Sequence, residues 1–575
     1  MMQSAGRTKY NSVGTLSEQP FAFENYYLLE RRKYTLHPSG RLHGWLISIV
    51  VFTMVATMLL LVAMTGDEEI SAVPSVHDAS VESMSTSDFP PGVILMISDG
   101  FGPASETFAH QFHNWRQGDT TKDVPLPLDD ILVGHARTKS FSSLVTDSAA
   151  GATAFSCGLK TYNGAVGVDD KSQPCGTLLE SAKVHRGMMT GLVVTSRITH
   201  ATPASFSSHV AGRDDENAIA AQLIGDSPLG RVVDLMFGGG TCHFRPNTSS
   251  SADTPSCRSD SRDLFKEAQE NHDWNVYLDR AAFDGLDANA KLPLMNLFDP
   301  SHLEYEIDRN STTQPSLAEM AYKAVQILGT PERQAPNGYF LVIEGSRIDM
   351  AAHTNDPAAH VHDIWEYQET VKKMKEFVKT RPNTVLISIS DHETGGLTLG
   401  RQVGNDYPEY KWNPSAIERV QKSAETLAAQ WIHAVQQNVA SESFLQKSIF
   451  KQGLGIDDAT SDETAWFMEW RNDAPDSDGD VAYQLGDMVS RRALIGWTTH
   501  GHTAVDVNLY AYANEGPNID ELRGVIDNVD IAHFVSKYLN LDIQDITKRL
   551  NANKTFVDNV AANKRTHAPR GPYFH

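Results

Sequence analysis

Positive charge is scarce in this sequence. Lysine and arginine number 49 against 72 aspartates and glutamates, which leaves a formal net charge of -23 at pH 7 over 575 residues. A protein that binds nucleic acid neutralises a phosphate backbone with clustered cations, so this excess of acid argues against such a partner. An anionic substrate would have to be held by metal ions or by a few particular arginines.

The chain also lacks the signatures of two common ligand sites. The glycine run Phe237-Gly238-Gly239-Gly240 is not followed by the Lys-Ser/Thr of a nucleotide-binding loop, so it predicts only a tight turn. In the acidic stretch at 473–480, a calcium loop beginning at Asp476 would need glycine where Val481 stands. We interpret that stretch as a solvated turn.

Long apolar runs are absent except for one near the amino end, from Leu46 to Met64. At about 1.5 Å per residue this uncharged run is just long enough to cross a bilayer. No small-residue cleavage site follows it, which argues against a signal peptide. Basic residues precede it and acidic residues follow it, so the amino terminus is predicted to be cytosolic. We expect a cytosolic tail at 1–41, a single transmembrane anchor at 42–65 and a solvated linker at 66–90.

The predicted tail carries one sorting pattern. The stretch Glu24-Asn25-Tyr26-Tyr27-Leu28-Leu29 resembles the acidic dileucine signals of endosomal and vacuolar cargo. Glu24, Leu28 and Leu29 therefore predict a sorting adaptor as a partner.

Cysteine is rare, and the four cysteines all follow the predicted span. An even number in an oxidising compartment predicts two disulfides, for which three pairings are possible. We favour the short-loop pairing of Cys157 with Cys175 and of Cys242 with Cys257. Asn-x-Ser/Thr sequons, typical of a glycoprotein, lie at Asn247, Asn310 and Asn553.

From Gly92 onward, short apolar runs that end in polar residues alternate with amphipathic stretches. The apolar runs at 93–97, 191–195, 339–343 and 385–389 predict strands buried on both faces. Helical periodicity at 317–328 and 363–378 predicts helices between strands. This alternation predicts an α/β fold with a large, mostly parallel central sheet sandwiched by helices.

We expect one catalytic domain at residues 91–550. An insertion at 401–495, with a helical run at 416–439, interrupts the alternation and is expected to cover the edge of the sheet or the site. A last strand is predicted at 507–511. Residues 551–575 are expected to form a flexible carboxyl-terminal tail.

Residues that can bind metal fall at the carboxyl ends of the predicted strands, where ligands gather in parallel sheets. Asp349 and His353 are spaced four residues apart and so share one face of a helical turn. Carboxylate with imidazole suits Zn²⁺, whereas an all-oxygen set suits Mg²⁺. We expect seven such residues to converge, namely Asp99, Glu344, Asp349, His353, Asp391, His392 and His502.

A lone serine begins a run of small residues in Thr146-Asp147-Ser148-Ala149-Ala150-Gly151. One interpretation is a nucleophile at a helix start, where unpaired N–H groups and the helix dipole stabilise an alkoxide. The other is an ordinary Asp N-cap on a buried helix of small residues.

Taken together, these stretches resemble the alkaline phosphatase family, and with the predicted span and tail they resemble its membrane-anchored fungal vacuolar members. The matching motifs follow the family order. They are Ile97-Ser98-Asp99-Gly100, Thr146-Asp147-Ser148-Ala149, Ala201-Thr202-Pro203-Ala204, the segment 344–353, Ser390-Asp391-His392-Glu393 and Thr499-His500-Gly501-His502.

The resemblance implies hydrolysis of phosphate monoesters with broad specificity, through a phosphoserine on Ser148 and in-line attack between two zinc ions. It implies that Arg213 and Asp147 bind the phosphate. It also implies a homodimer in the vacuolar membrane, with the catalytic domain in the lumen. The implied ligands are Asp349, His353 and His502 for one Zn²⁺, Asp99, Asp391 and His392 for the second Zn²⁺, and Asp99, Thr202 and Glu344 for one Mg²⁺.

Two positions depart from the family pattern. His200 stands beside the implied magnesium where bacterial members carry an acid, and Met350 stands where they carry lysine and animal enzymes histidine. Metal preference and pH optimum at this third site are therefore left open. His500 competes with His502 as a ligand, and we favour His502 because the run after it fits the family better.

Two alternatives to a phosphomonoesterase remain open from the sequence. A phosphodiesterase or sulfatase relative would share the two-metal core. A catalytically inactive glycosylated surface protein would keep the anchor, the linker and the folded domain but would not hydrolyse phosphate esters.

Overall fold

The computed structural model describes residues 89–118, 123–249, 251, 254–329, 337–473 and 478–562. The predicted cytosolic tail, its sorting pattern, the transmembrane anchor at 42–65 and nearly all of the linker lie outside these ranges. None of the helices within them is both long enough and apolar enough to cross a membrane.

The four predicted strands are all present, each with residues added at one or both ends, as β1, β3, β7 and β8. The strand predicted at 507–511 is β11, but it is not the last, because β12 follows it. Within the described ranges the strands are β1 Gly92–Ser98, β2 Leu132–Arg137, β3 Met189–Arg197, β4 Leu235–Gly239, β5 Asn275–Tyr277, β6 Leu294–Leu297, β7 Tyr339–Gly345, β8 Thr384–Ile389, β9 Glu393–Thr394, β10 His502–Thr503, β11 Val507–Ala513 and β12 Gly524–Asp527.

The helices of the same ranges include α8, which has the bounds predicted from periodicity, and α10, which extends the helix predicted at 363–378. They are α1 Pro103–Arg116, α2 Ser148–Cys157, α3 Leu178–Arg186, α4 Ala201–Ala204, α5 Glu216–Ile224, α6 Leu264–His272, α7 Arg280–Asp284, α8 Leu317–Leu328, α9 Arg347–His353, α10 Pro357–Lys379, α11 Pro414–Glu418, α12 Ala424–Gln436, α13 Glu442–Phe444, α14 Ser461–Asp473, α15 Asp478–Ala493, α16 Val529–Leu539, α17 Ile543–Ala552 and α18 Lys554–Ala562.

The central sheet has ten strands in the order β12-β2-β11-β8-β1-β7-β3-β4-β6-β5. Strand β11 runs antiparallel to its neighbours β2 and β8, and the other described pairings in this sheet are parallel. The predicted mostly parallel sheet is therefore confirmed, with β1 near its middle.

Alternate side chains of β1 enter two hydrophobic cores on opposite faces of the sheet. Ile94 and Met96 pack on the side of α8 and α10, whereas Val93, Leu95 and Ile97 pack on the side of α2, α3, α5 and α16. Burial on both faces explains why β1 is continuously apolar rather than alternating.

The insertion leaves and re-enters the domain at one point. Strands β9 and β10 flank it and pair antiparallel, with Thr394 opposite His502. Its helices α11 to α15, with a π-helical segment at Leu445–Gly453, pack into the core that contains α8 and α10. The single helical run predicted at 416–439 is wrong, because Ser423 caps a new helix, α12, after α11 has ended. The middle of the acidic stretch at 473–480 lies outside the described residues.

The carboxyl-terminal boundary also differs from the prediction. Helices α17 and α18 carry regular structure from Ile543 to Ala562, so a tail that begins at 551 is wrong over the described part. Helix α18 is held because Phe556 and Val560 pack against Ala165 and Val168. Residues 563–575 lie outside the described ranges.

Both predicted disulfides are present. Cys157 is bonded to Cys175 and Cys242 to Cys257, which is the short-loop pairing.

Candidate active site

Three neighbouring strands deliver carboxylates to one edge of the sheet. Asp99 directly follows β1, Glu344 lies near the end of β7, and Asp391 comes just after β8. The register pairs Ile97 with both Glu344 and Ile389, so the three strands end at the same level. All three carboxylates are fully buried.

A glycine permits the closest approach at this edge. Gly100 has a φ of +77°, and a Cβ atom there would lie 2.6 Å from the Cα of Asp349. Only glycine combines that backbone conformation with that little space. The Ser98-Asp99-Gly100 motif thus lets α9, which carries Asp349 and His353, pack directly against the end of β1.

His502 reaches the same edge because of the one antiparallel strand. It precedes β11, and the start of β11 lies where the parallel strands β1, β7 and β8 end. The pairing of β10 with β9 places His502 opposite Thr394, two residues after His392.

Ser148 is the first residue of α2 and points into this group. Its Oγ lies 3.2 Å from Nε2 of His392. Asp147 caps the helix by accepting a hydrogen bond from the backbone N–H of Ala150 at 3.0 Å. A Cβ atom on Gly151 would lie 3.0 Å from the Cβ of Asp391. The Asp N-cap on a buried helix of small residues is therefore confirmed. The same helix brings the serine against the strand ends, and its role as a nucleophile stays a prediction.

Potential ligand atoms at this edge form three groups, each with its atoms within 4.8 Å of one another. The groups are Asp349, His353 and His502; Asp99, Asp391 and His392; and Asp99, His200 and Glu344. A further group in the described chain, Cys242, His243 and Cys257, is not a metal site, because its two cysteines form a disulfide.

Backbone carbonyls set the tautomers of two of these histidines. Nδ1 of His502 lies 2.8 Å from the carbonyl oxygen of Thr146, and Nδ1 of His353 bonds to that of His500. A carbonyl only accepts, so each Nδ1 carries a proton, and in the neutral ring Nε2 keeps its lone pair. The two Nε2 atoms lie 3.1 Å apart. Burial and neighbouring His392 hold the pKa of His502 well below its usual value, whereas Asp349 outweighs burial and raises the pKa of His353. The neutral ring of His502 can therefore offer its Nε2 lone pair to a metal ion.

Thr394 lies outside the motifs recognised in the sequence, and it orients a third imidazole. Its hydroxyl lies 2.5 Å from Oδ1 of Asp349, to which it donates, and 3.2 Å from Nδ1 of His392, from which it then accepts. Nε2 of His392 is left as an acceptor beside Ser148, and burial lowers the pKa of His392 to about 4. The only sequence signal for Thr394 is its position two residues after His392 in an extended segment, which puts both side chains on one face.

The carboxylates of the site need a counter-ion. Both oxygens of Asp99, Oε1 of Glu344 and Oδ2 of Asp391 are buried without a hydrogen-bond partner in the described chain. Burial and neighbouring carboxylates raise the pKa of Asp99 well above its usual value and that of Asp391 to about 7, and burial raises that of Glu344 to about 7. Buried anions are costly unless they are paired, so this donor set fits metal cations.

Asp349 behaves differently from these three carboxylates. Burial raises its pKa, but the imidazoles of His353, His502 and His392 together outweigh burial, and the net pKa lies well below the usual value. Asp349 is therefore held as an anion, 3.2 Å from Nε2 of His353.

Arg213 is held beside Ser148 by contacts on both sides of its guanidinium. Nη1 donates to Oδ2 of Asp147 at 3.2 Å, and Nη2 donates to Nε2 of His200 at 2.9 Å. Gly164 accepts from the Arg213 backbone N–H at 2.8 Å and donates its own N–H to Oδ2 of Asp147 at 2.9 Å. Arg213 is thus fixed beside Asp147, the residue that precedes Ser148.

The remaining residues near the proposed magnesium ligands occupy defined places. Ser196 and Ser346 donate to Oε2 of Glu344, at 3.2 and 2.6 Å, and Thr202 interacts with the same carboxylate. Met350, the departure from the family pattern, lies with its sulfur 3.0 Å from Nη1 of Arg347.

His500 lies outside the three ligand groups. Its Nδ1 lies 2.8 Å from the carbonyl oxygen of His353, and its ring stacks on Tyr483 with centroids 3.6 Å apart. The structure therefore places His502, not His500, among the candidate ligands, as expected from the run that follows His502.

The family model for alkaline phosphatase matches residues 91–541. The alkaline phosphatase of Schizosaccharomyces pombe is 45% identical over 476 residues, which cover 82% of this chain and 85% of that protein. The repressible alkaline phosphatase of Saccharomyces cerevisiae is 43% identical over 523 residues, which cover 88% of this chain and 90% of that protein.

Solved structures agree. The cold-active alkaline phosphatase from the psychrophile Shewanella sp. has a TM-score of 0.64 and 30% identity, covering 78% of this chain and 99% of that one. A His-to-Glu mutant of the TAB5 alkaline phosphatase, with a TM-score of 0.54 and 25% identity over 79% of this chain and 99% of that one, has Mg bound in its M3 site. The fold, the matched length and these identities lead to one conclusion. This chain belongs to the alkaline phosphatase family, whose members are metal-dependent phosphomonoesterases.

Proposed function

We propose that this phosphomonoesterase acts through a phosphoserine formed on Ser148. The observation that carries the proposal is the position of Ser148 Oγ, 3.2 Å from Nε2 of His392, which belongs to one of the three groups of potential metal ligands. The first backbone N–H groups of α2 and its dipole favour negative charge at this oxygen.

We further propose that the centre holds two Zn²⁺ and one Mg²⁺. Zinc suits the two sets that contain imidazole. One set is Asp349, His353 and His502, and the other is Asp99, Asp391 and His392. The oxygen set of Asp99, Thr202 and Glu344, beside His200, suits magnesium. The unpartnered oxygens of Asp99, Asp391 and Glu344 support this assignment, and so does the magnesium in the M3 site of the TAB5 mutant. When bound, such ions lower the pKa of an attacking hydroxyl and neutralise charge on phosphoryl oxygens.

The side chains of this chain bind and orient the substrate. Arg213 donates two parallel hydrogen bonds to phosphoryl oxygens, and Asp147 keeps the guanidinium in that orientation. Ser148 Oγ attacks phosphorus in line, the bond to the alcohol oxygen breaks, and the alcohol leaves with a proton. Water then attacks the phosphoserine from the vacated side, which releases phosphate and restores the serine. We also propose broad specificity for the alcohol, as membership of the family suggests.

The experiment is Ser148→Ala assayed with an aryl phosphate. We expect turnover to fall at least about 10³-fold while zinc content and unfolding temperature stay near wild type. Ser156→Ala in the same helix is the matched control, because its hydroxyl lies 3.4 Å from the carbonyl oxygen of Thr153 and outside the ligand groups. An unchanged rate for Ser148→Ala would contradict the proposal.

We also propose that the enzyme is located in the vacuolar membrane, with one amino-terminal span and a cytosolic tail. Its catalytic domain is proposed to lie in the lumen as a glycosylated homodimer. The apolar run at 46–64, its flanking charges and the two disulfides support it. Asn247, Asn310 and Asn553 are exposed, as glycosylation requires. We expect Leu28 and Leu29 replaced together by alanine to redirect the tagged protein from the vacuole. If the protein without both leucines still reached the vacuole, the proposed recognition by a sorting adaptor would be wrong.

A further inference from the structure

We propose that Asp356 is a positioning residue for the metal centre. It clamps the insertion onto the corner of the chain that directly follows His353, and so holds that imidazole where ligation requires it. This inference rests on the proposed metal assignment of Asp349, His353 and His502. Asp356 itself is 3% exposed and belongs to none of the ligand groups.

The corner joins two helices within three residues. Helix α9 ends at His353, Asn355 has a φ of +51°, and the N–H of Asp356 donates to the carbonyl oxygen of Ala351 at 2.9 Å. Oδ1 of Asp356 then caps α10 by accepting from the N–H groups of Ala358 at 2.9 Å and Ala359 at 3.1 Å. The backbone of Asp356 thus closes the helix that carries His353, while its side chain starts the next one.

The second oxygen of the same carboxylate binds the insertion. Oδ2 of Asp356 accepts from the N–H of Ala424, the first residue of α12, at 2.6 Å. One carboxylate therefore joins the first turns of α10 and α12. The N–H groups of both helices favour its charged form but do not outweigh burial, which raises the pKa of Asp356 to about 6. This carboxylate thus connects the start of α12 directly to the turn after His353.

The insertion meets this corner from a second side as well. Ser490 on α15 donates to the carbonyl oxygen of Asn355 at 3.3 Å. A Cβ atom on Gly486 would lie 2.7 Å from the carbonyl oxygen of Thr354, so α15 packs directly on the backbone there. The corner is therefore held between α12 and α15, both of which belong to the insertion.

Asp308 provides a matched contrast. Its carboxylate also holds the start of α12, accepting from the N–H of Ser423 at 3.2 Å and from Oγ1 of Thr426 at 2.8 Å. It comes from the segment before α8, and among the described residues it forms no hydrogen bond or ion pair with the corner at 354–356. Loss of Asp308 would loosen the insertion, whereas loss of Asp356 would loosen the insertion and the corner together.

The test measures zinc retention. Wild-type holoenzyme and its variants are placed in excess chelator, and the protein-bound zinc is measured at fixed times. In Asp356→Asn the new amide N–H₂ must face one of the two sets of helix N–H groups, so one side of the clamp opens. We expect one of the two zinc ions to be lost about ten-fold faster than from wild type, the scale typical of residues that orient a ligand.

Three further variants separate positioning from general stability. Ala424→Pro removes only the N–H that Oδ2 accepts, at a helix position where proline is tolerated, and serves if Asp356→Asn does not fold. We expect it to lose zinc as Asp356→Asn does. Asp308→Asn and Ser423→Ala weaken the start of α12 without touching Asp356, and we expect both to lose zinc at the wild-type rate.

Several outcomes would overturn the inference. Wild-type rates of zinc loss from both Asp356→Asn and Ala424→Pro would remove the positioning role. Equal acceleration in Asp308→Asn and Ser423→Ala would show that any loosening of the insertion has the same effect. If wild-type protein held no zinc, the proposed metal centre itself would fail, and this inference with it.

Discussion

The Nε2 atoms of His353 and His502 face each other at 3.1 Å, while the Nδ1 atom of each ring bonds to a backbone carbonyl. Two imidazoles held in this way direct their lone pairs at one point. Buried carboxylates with raised pKa values lie beside them. Without a cation, these lone pairs and carboxylates repel one another, and the rest of the folded protein has to hold them together.

The first prediction follows from that repulsion and concerns metal removal. We expect metal-free protein to unfold at a markedly lower temperature than holoenzyme, because a ligand at a thousand times its dissociation constant stabilises by about 4 kcal/mol. Calorimetry before and after chelation, followed by back-titration with Zn²⁺, measures the effect. Identical unfolding curves with and without metal would contradict it.

The second prediction separates the two neighbouring histidines. His502→Ala removes an imidazole from a ligand group, so we expect zinc content to fall and turnover to drop about 10²-fold or more. His500→Ala keeps the backbone carbonyl that fixes Nδ1 of His353, so we expect turnover within about five-fold of wild type. A larger loss of turnover in His500→Ala than in His502→Ala would show that His500 is the ligand.

The third prediction concerns the charge that Arg213 recognises. Arg213→Ala removes two charge-assisted hydrogen bonds, so we expect kcat/KM for a phosphate monoester to fall about 10- to 100-fold and inhibition by phosphate to weaken. Arg213→Lys keeps the charge but not the planar fork and should recover only part of the loss. A diester has one fewer anionic oxygen, so its turnover should fall less. The control is Arg262→Ala, which removes an arginine that forms an ion pair with Glu267 outside the ligand groups.

The fourth prediction uses a buried acid outside the ligand groups. Burial and neighbouring Asp129 raise the pKa of Glu106 from 4.5 to about 7, while Gln368 and Tyr510 donate to its carboxylate. Between pH 4.5 and 7 the folded state binds more protons than the unfolded state, so this group makes stability fall as pH rises.

Glu106→Gln should remove that dependence. We expect the variant to match wild type near pH 5 and to exceed it by up to about 3 kcal/mol at pH 8, as measured by urea unfolding. The exposed Glu376→Gln controls for loss of a surface charge. A difference from wild type that is the same at both pH values would rule out the raised pKa.

Local patterns predicted the centre of the fold well. Strands β1, β7 and β8 are buried on both faces, so burial makes them continuous apolar runs that stop where the polar residues begin. Asp99, Glu344 and Asp391 follow those runs, and for that reason their convergence could be inferred from the sequence.

Features that depend on distant contacts could not be predicted in this way. The break between α11 and α12 exists because Asp308 and Asp356, remote in sequence, bind the N–H groups of Ser423 and Ala424. The direction of β11 was equally hidden, since an apolar run looks the same in a parallel or an antiparallel strand. The carbonyl of Thr146 orients His502 through a backbone atom that every residue possesses.

The separation of His353 and His502 by 149 residues has a consequence for biosynthesis. The whole insertion lies between them, so a nascent chain that has emerged only as far as α15 lacks the second imidazole. A cation that needs both rings can be loaded only after translation has passed His502 and β10 has joined β9. The order of synthesis thus keeps the catalytic centre incomplete until nearly all of the domain exists.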